Sequence, residues 1–279
     1  MILAMAGFAF EDLFIKTLSA HLPVSEIILI LGSTGSIIFL IIALLQRAPI
    51  IHKDLLNRYV ITRTVLELFG ALFFVIAIAL TPLSSASAIL QITPLLVTIG
   101  AAVFFRESVG WRRWTAVLIG FIGVLLILRP GFGSFMPASI FALLGAMFLA
   151  GRDLATRAIK VQLPSVTISL YAFLAFGLSG FLIIPFSTEM ILPSSTQIIY
   201  FAGASAFGVV AYYSIVIAAR TGEMSVISPF RYSRLVFALL LSVIILSERP
   251  DILTLTGAAI IVASGVYTFV RENVLNKSK

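Results

Sequence analysis

The sequence predicts an all-α integral membrane protein, with ten transmembrane helices arranged as two inverted five-helix repeats. Three observations point there. Of its 279 residues, 60% are hydrophobic and 11% charged, and the mean hydropathy is +1.14. A soluble domain carries about a quarter charged residues, so this much apolar surface calls for lipid as its solvent. Ten stretches fit the template of roughly 20 mostly apolar residues that crosses a bilayer. A charged pattern near the start of the chain also returns 141 positions later.

The ten stretches fall at about 2–19, 26–45, 60–80, 84–104, 113–129, 137–157, 167–186, 197–217, 225–246 and 254–270. The first carries Glu11, Asp12 and Lys16 in an otherwise apolar segment, and no small-residue cleavage site follows it, so it reads as a retained helix and not a signal peptide. The second is rich in small residues (Gly32-Ser33-Thr34-Gly35-Ser36), which let helices approach closely. The third holds Arg63 and Glu67, the fourth Gln91, Thr93 and Pro94, and the sixth Arg152 and Asp153. The ninth holds Pro229, Arg231, Tyr232 and Arg234. The fifth and tenth have few charges, carry Gly120, Gly123, Gly257 and Gly265, and read as scaffold or dimer surface. Separators such as His21-Leu22-Pro23, Thr81-Pro82 and Glu248-Arg249-Pro250-Asp251 carry the turn signals, and none is long enough for a soluble domain.

Loop charge sets the orientation. With both termini in the cytoplasm, twelve Lys and Arg lie in the cytoplasmic loops and tail against Arg129 and Arg249 outside. That bias follows the positive-inside rule and also accounts for the net charge of +7 without nucleic acid. The expected location is the cell inner membrane.

The repeat divides the chain into 1–130, 137–271 and a cytoplasmic tail, 272–279. At the offset of 141, Asp12 matches Asp153, Leu13 matches Leu154, Lys16 matches Arg157, Leu22-Pro23 matches Leu163-Pro164, and Glu107 matches Glu248. An odd number of helices per half forces the copies into opposite orientations, an architecture of secondary transporters with the substrate site near the midplane.

The chain resembles the drug/metabolite transporter superfamily, specifically its EamA-type ten-helix carriers. In the first half the resemblance rests on Ala88-Ile89-Leu90-Gln91-Ile92-Thr93-Pro94-Leu95-Leu96, Phe104-Phe105-Arg106-Glu107, Trp114 and Gly120-Phe121-Ile122-Gly123-Val124. In the second half it rests on Ser228-Pro229-Phe230-Arg231-Tyr232-Ser233-Arg234, Ser247-Glu248-Arg249-Pro250-Asp251 and the stretch from Gly257 to Gly265. The resemblance implies a carrier for amino acids, nucleotide-like metabolites, S-adenosylmethionine or riboflavin, with no ATP-binding domain and no bound cofactor. The position aligned with Pro94 in the ninth helix is not proline, so the two half-sites are expected to differ.

An ionisable group inside a membrane costs about 2.5–3.5 kcal/mol or more, so it usually faces a cavity or a partner. On that ground the candidate substrate-binding residues are Asp12, Arg63, Glu67, Gln91, Asp153, Tyr212, Arg231, Tyr232 and Arg234. Asp12 and Lys16 share a helix face and read either as an ion pair or as a titrating site. Arg63 and Glu67 share a face too, with Arg63 close enough to the cytoplasmic end to reach the headgroups. Arg231 and Arg234, three apart beyond Pro229, read as an anion clamp or as partners of Asp153 or Glu67. Glu11 reads as reaching the interface. Protons are a candidate coupling ion, through Asp12, Glu67 or Asp153. The first, third and fourth helices should line the pathway together with the sixth, eighth and ninth.

Other function classes fare worse. An enzyme needs a base beside its nucleophile, and the two histidines, His21 and His52, lie in loops on opposite sides. No H-E-x-x-H occurs, no metal site is expected, and the absence of cysteine excludes thiolate chemistry and disulfides. A channel would show a filter or a ring of like charge. The sequence reading is therefore a secondary, non-ATP carrier of a small organic metabolite working by alternating access, in a lipid bilayer, with a homodimer as a candidate assembly. A channel or a non-transporting membrane protein is the alternative.

Overall fold

The structure is a computed structural model that describes residues 1–106, 110–129, 136–159, 163–221 and 228–277. Among these residues every regular element is helical: α1 (Ile2–Leu18), α2 (Val24–Leu45), α3 (Arg58–Leu80), α4 (Leu83–Leu90), α5 (Thr93–Phe104), α6 (Trp111–Leu128), α7 (Ser139–Ala158), α8 (Ser165–Ile183), α9 (Ser195–Thr221), α10 (Ser233–Ile244) and α11 (Ile252–Lys277). Short 3-10 turns lie at Lys53–Leu56, Ile184–Phe186 and Ser228–Tyr232.

The helix starts follow local chemistry. Pro23, Pro82 and Pro164 stand immediately before α2, α4 and α8 in extended conformation, where the fixed φ and missing N–H of proline are harmless. Asn57 caps α3, its side-chain oxygen accepting from the Tyr59 N–H at 2.9 Å. The fourth predicted helix breaks between α4 and α5 for one reason. Pro94 has no N–H to donate to the carbonyl of Leu90. The Thr93 hydroxyl takes over that acceptor at 2.6 Å, and Gln91 and Ile92 make tighter bonds to Ala88 and Ile89.

Six helical stretches are long and apolar enough to cross a membrane: Val24–Leu45, Arg58–Leu80, Leu83–Phe104, Ser139–Ala158, Ser165–Phe186 and Ser195–Ala218. Trp114–Leu128 and Ile252–Tyr267 are shorter apolar helices. Outward-facing side chains such as Leu118, Ile122, Leu178 and Phe181 are more than half exposed, as lipid-facing residues should be. One expectation is corrected. The ninth predicted helix is not one continuous α-helix, because Pro229 sits in the 3-10 turn that precedes α10; residues 222–227 lie outside the described residues. The predicted tail is helical as far as Lys277, a continuation of α11.

The helices pack in a small number of close seams. α3 lies along α7, α1 along α9, α2 along α8, and α6 along α11, while α10 and the turn before it lie against α1. Small residues make two of these seams tight. A Cβ added at Gly32 of α2 would overlap the backbone of Gly177 in α8, and Gly35 similarly accommodates the Phe173 ring. In the α6–α11 seam, Gly123 and Gly257 face one another's backbone. These approaches need glycine, because every other residue carries the clashing carbon.

Candidate functional site

Six helical segments, α1, α3, α4, α7, α9 and the turn leading into α10, bring charged and polar side chains to one buried region. Glu67 of α3 is the hub and is 4% exposed. Its Oε2 accepts from the Tyr212 hydroxyl of α9 at 2.7 Å and lies 2.9 Å from the Arg63 Nη2. Arg63 also donates to the Tyr212 oxygen at 2.7 Å. The other carboxylate oxygen of Glu67 accepts from Arg152 of α7 at 2.8 Å. Arg152 turns back to Asp153, donating at 2.7 Å and 3.0 Å to one oxygen. The second oxygen of Asp153 accepts from Arg231 at 2.9 Å. Finally the Gln91 amide donates to the Arg231 carbonyl at 3.2 Å. The result is a continuous chain, Arg63–Glu67–Arg152–Asp153–Arg231, flanked by Tyr212 and Gln91.

A second pair lies beside it. Arg234 of α10 holds Asp12 of α1 with three contacts of 2.7–3.1 Å. Its guanidinium is also sandwiched between the rings of Phe8 and Phe74, 4.9 Å and 5.1 Å from their centroids, an arrangement that favours a desolvated cation. Asp12 is 2% exposed.

Eight of the nine predicted residues are therefore brought together: Arg63, Glu67, Gln91, Asp153, Tyr212 and Arg231 in the chain and its flanks, and Asp12 with Arg234 in the pair beside it. Tyr232 stands apart. Its hydroxyl packs against Gly265 of α11, where an added Cβ would overlap it, and it is buried with no hydrogen-bond partner among the described residues. Arg152 was not among the predicted site residues although it bridges the two carboxylates; its place next to Asp153 in the repeated pattern was the available signal.

Several sequence expectations are corrected by these contacts. Asp12 and Lys16 do not pair with each other. Lys16 instead donates to the carbonyls of Ile78, Ala79 and Thr81 at 2.8–3.3 Å, because the C-terminus of α3 offers unpaired carbonyls and the negative end of a helix dipole. Arg63 does not reach the headgroups; it is 7% exposed and bonded to Tyr212. Of the two readings of Arg231 and Arg234, pairing holds for Arg231, which bonds Asp153, while Arg234 takes Asp12 and not Glu67. Glu11 does not reach the interface and is 9% exposed. Glu248 caps α4, accepting from the Leu83 and Ser84 N–H groups at 2.6 Å and 3.0 Å and from the Ser84 hydroxyl at 2.7 Å. Its repeat mate Glu107 lies outside the described residues.

Cavities of about 410 Å³ and 390 Å³ open at the end of the molecule that carries Arg129 and His21. Neither is lined by the nine predicted residues. Among the described residues no group of three or more His, Asp or Glu is placed to hold a metal. The site's chemistry is therefore that of charge pairing: four guanidiniums and three carboxylates, held at hydrogen-bond distance and largely buried, on helices from both ends of the chain. Such groups bind and orient a polar solute; no nucleophile and base are aligned among them.

Comparison with known proteins identifies the family. The family model for the EamA-like transporter family matches residues 1–129 and again 136–270. A riboflavin transporter of Vibrio cholerae is 30% identical over 218 residues, covering 78% of this chain and 72% of that one. An S-adenosylmethionine uptake transporter of Rickettsia felis is 24% identical over 212 residues, 76% of this chain and 71% of its own length. The pseudopaline exporter CntI of Pseudomonas aeruginosa is 28% identical over 270 residues, 94% and 92% of the two chains. A solved crystal structure superposes with a TM-score of 0.66 over 98% of both chains at 18% identity, a likeness of fold alone. With its family model matched twice and nearly end to end, this chain belongs to the EamA-like transporter family.

Proposed function

We propose that this protein is a secondary carrier that moves a small, carboxylate-bearing organic metabolite across the cytoplasmic membrane by alternating access, using the arginine–carboxylate chain as its binding site. The observation that carries this reading is the charge of that chain. Among the described residues the ion-pair partners of Arg63, Arg152 and Arg231 are Glu67 and Asp153, so three guanidiniums share two carboxylates. A third carboxylate, brought by a substrate, would complete the pairing in the low-dielectric interior, where an uncompensated charge is expensive. Arginine's planar fork suits that ligand.

The ten-span, inverted-repeat architecture belongs to this reading, with halves 1–130 and 137–271 and both termini cytoplasmic. The packing supports it. At the offset of 141, α3 corresponds to α9 and α7 to α1, and the α3–α7 seam has its mate in the α9–α1 seam. α2 and α8 correspond to each other and pack together, as do α6 and α11, which is what a two-fold axis in the membrane plane would produce. The names of the relatives supply riboflavin and S-adenosylmethionine, of which the second carries a carboxylate and the first serves as the probe without one; amino acids extend the carboxylate set, and all are tried first by thermal shift and then as labelled solutes in proteoliposomes. A substrate should accumulate through the intact protein, and Arg152→Gln should lose that uptake at least tenfold. Uptake by Arg152→Gln equal to that of the intact protein would remove the chain from the transport path.

A further inference from the structure

Among the described residues Glu11 is a buried carboxylate left without a bonded partner, whereas Asp12 is held by Arg234 and Glu26 accepts from the Ile191 N–H. Glu11 lies on α1, directly before Asp12, and is 9% exposed. Among the described residues its carboxylate has neither a hydrogen bond nor an ion pair. It sits instead against Gly208 of α9, where an added Cβ would overlap its oxygens. The repeat sharpens what this means. At the offset of 141, Glu11 corresponds to Arg152 and Gly208 corresponds to Glu67. At the α3–α7 seam, where one half meets the other, these two positions hold an ion pair of 2.8 Å, and at the α1–α9 seam that mirrors it the pattern is broken. There they hold a carboxylate facing a residue without a side chain.

We propose that Glu11 is the site at which this carrier binds and releases a proton. An ionised carboxylate buried without a partner is strongly unfavourable, and a proton is a cation small enough to neutralise it where Gly208 leaves no side chain. The neighbours do not supply the missing charge. On its own helix Asp12 is taken by Arg234, and Lys16 by the α3 carbonyls. From α3 come Arg63 and Glu67, and from α9 Tyr212, all bonded to one another. From α10 comes Arg234, and from the turn before it Arg231, held by Asp153, and Tyr232, packed on Gly265. α4 carries no titratable side chain.

The consequence rests on the carrier reading above. The buried guanidiniums of Arg63, Arg152, Arg231 and Arg234 balance Glu11, Asp12, Glu67 and Asp153 when Glu11 is ionised. Protonating Glu11 leaves one positive charge in excess. A carboxylate-bearing substrate and a proton would then enter together, each offsetting the charge of the other, and the emptied site would be neutral.

Infrared titration of the full chain in lipid vesicles tests the proton site without a substrate. A protonated-carboxyl stretching band should grow on acidification, be missing in Glu11→Gln, and shift in Gly208→Ala, which displaces the carboxylate while keeping the acid. A titrating band that persists unchanged in Glu11→Gln, or no such band in the intact protein, overturns the proposal. Glu11→Gln keeps the side chain's shape, so its melting temperature should match or exceed that of the intact protein and serves as the folding control. In proteoliposomes given labelled S-adenosylmethionine or glutamate, both carboxylate-bearing, an inward proton gradient should stimulate uptake by the intact chain and not by Glu11→Gln, with exchange at equal pH retained. Equal stimulation in both would overturn the coupling. If no probe is taken up, the carrier reading fails, and Glu11 stands or falls on the infrared titration.

Discussion

Glu67 offers the most demanding test of the ion chain. Glu67→Gln keeps the volume and removes one charge. The carboxylate it replaces is bonded to Arg63, Arg152 and Tyr212 at 2.7–2.9 Å and is almost wholly buried. The variant leaves three guanidiniums against the single carboxylate of Asp153. Removing one partner of a buried ion pair costs about 3–5 kcal/mol, since the survivor stays desolvated without compensation. For a protein of this size each kcal/mol moves the melting temperature by about 2–4 °C, so the purified variant should melt roughly 6–20 °C lower. The double variant Glu67→Gln, Arg152→Gln removes one charge of each sign. It should recover part of the loss, with a coupling of about 0.5–3 kcal/mol between neighbours. Thermal unfolding in detergent, read through Trp111 and Trp114 fluorescence, measures all three proteins against the intact chain. A Glu67→Gln protein that melts with the intact one would refute the chain as an energetic unit. So would a double variant whose loss equals the sum of the two single ones.

Two further outcomes follow from single contacts. Tyr232→Phe removes a buried hydroxyl that has no partner among the described residues, and an unsatisfied polar group costs about 1–3 kcal/mol; the variant should therefore melt at or above the intact temperature, and a clear loss of stability would show that the hydroxyl is bonded. Asp251 joins Arg129 at the start of α11 and accepts from the Thr254 N–H at 2.7 Å. The hydrogen bond from Arg129 is the largest cause holding its carboxyl down, from the ordinary 3.8 to about 2. A depressed value means that this contribution is present above pH 3.8 and is lost as pH falls through about 2. Because the side chain is half exposed, the effect is under about 1 kcal/mol. The gap in melting temperature between the intact protein and Asp251→Asn should stay constant across neutral pH and close only in strong acid; a gap that closed near neutrality would contradict it.

Much of this was legible in the sequence, for physical reasons. Length and apolarity identify a spanning helix because a bilayer has a fixed thickness, and most observed helices begin and end within a few residues of the predicted ones; the start of the ninth (Ser233 against 225) and the end of the tenth (Lys277 against 270) do not. Pro94 announced its own break, since a missing N–H is a property of one residue. The helices expected to carry the pathway are the ones that carry the ion chain, because charge buried in an apolar helix must face inward. What the sequence did not reveal is who pairs with whom. Asp12 has Lys16 one turn away, yet its partner is Arg234, 222 positions on. Pairing within a helix is a local rule, whereas buried partners are set by which helices adjoin, and only the fold brings α1 to α10. Arg152 was overlooked for the same reason: its importance lies in reaching Glu67 across the α3–α7 seam.

The contacts at the Arg129 end bear on how such a site could open. Glu248, from the second half, holds the start of α4 through three hydrogen bonds, and Lys16 holds the end of α3 through three more. Together they close the short turn at Thr81-Pro82 between them. Hydrogen bonds to charged groups contribute about 1.5–3 kcal/mol each, so parting even the Glu248 set costs several kcal/mol. Thermal motion alone would populate that opening rarely; a ligand can shift it only by binding the open form more tightly. A substrate carboxylate that neutralises the excess guanidinium has the right magnitude to do so, and it would act through α3 and α4, the two helices that Lys16 and Glu248 grip. On this view the locks at the end and the unpaired charge at the centre are parts of one balance. Weakening Glu248 should then loosen the requirement for a bound anion before the protein opens.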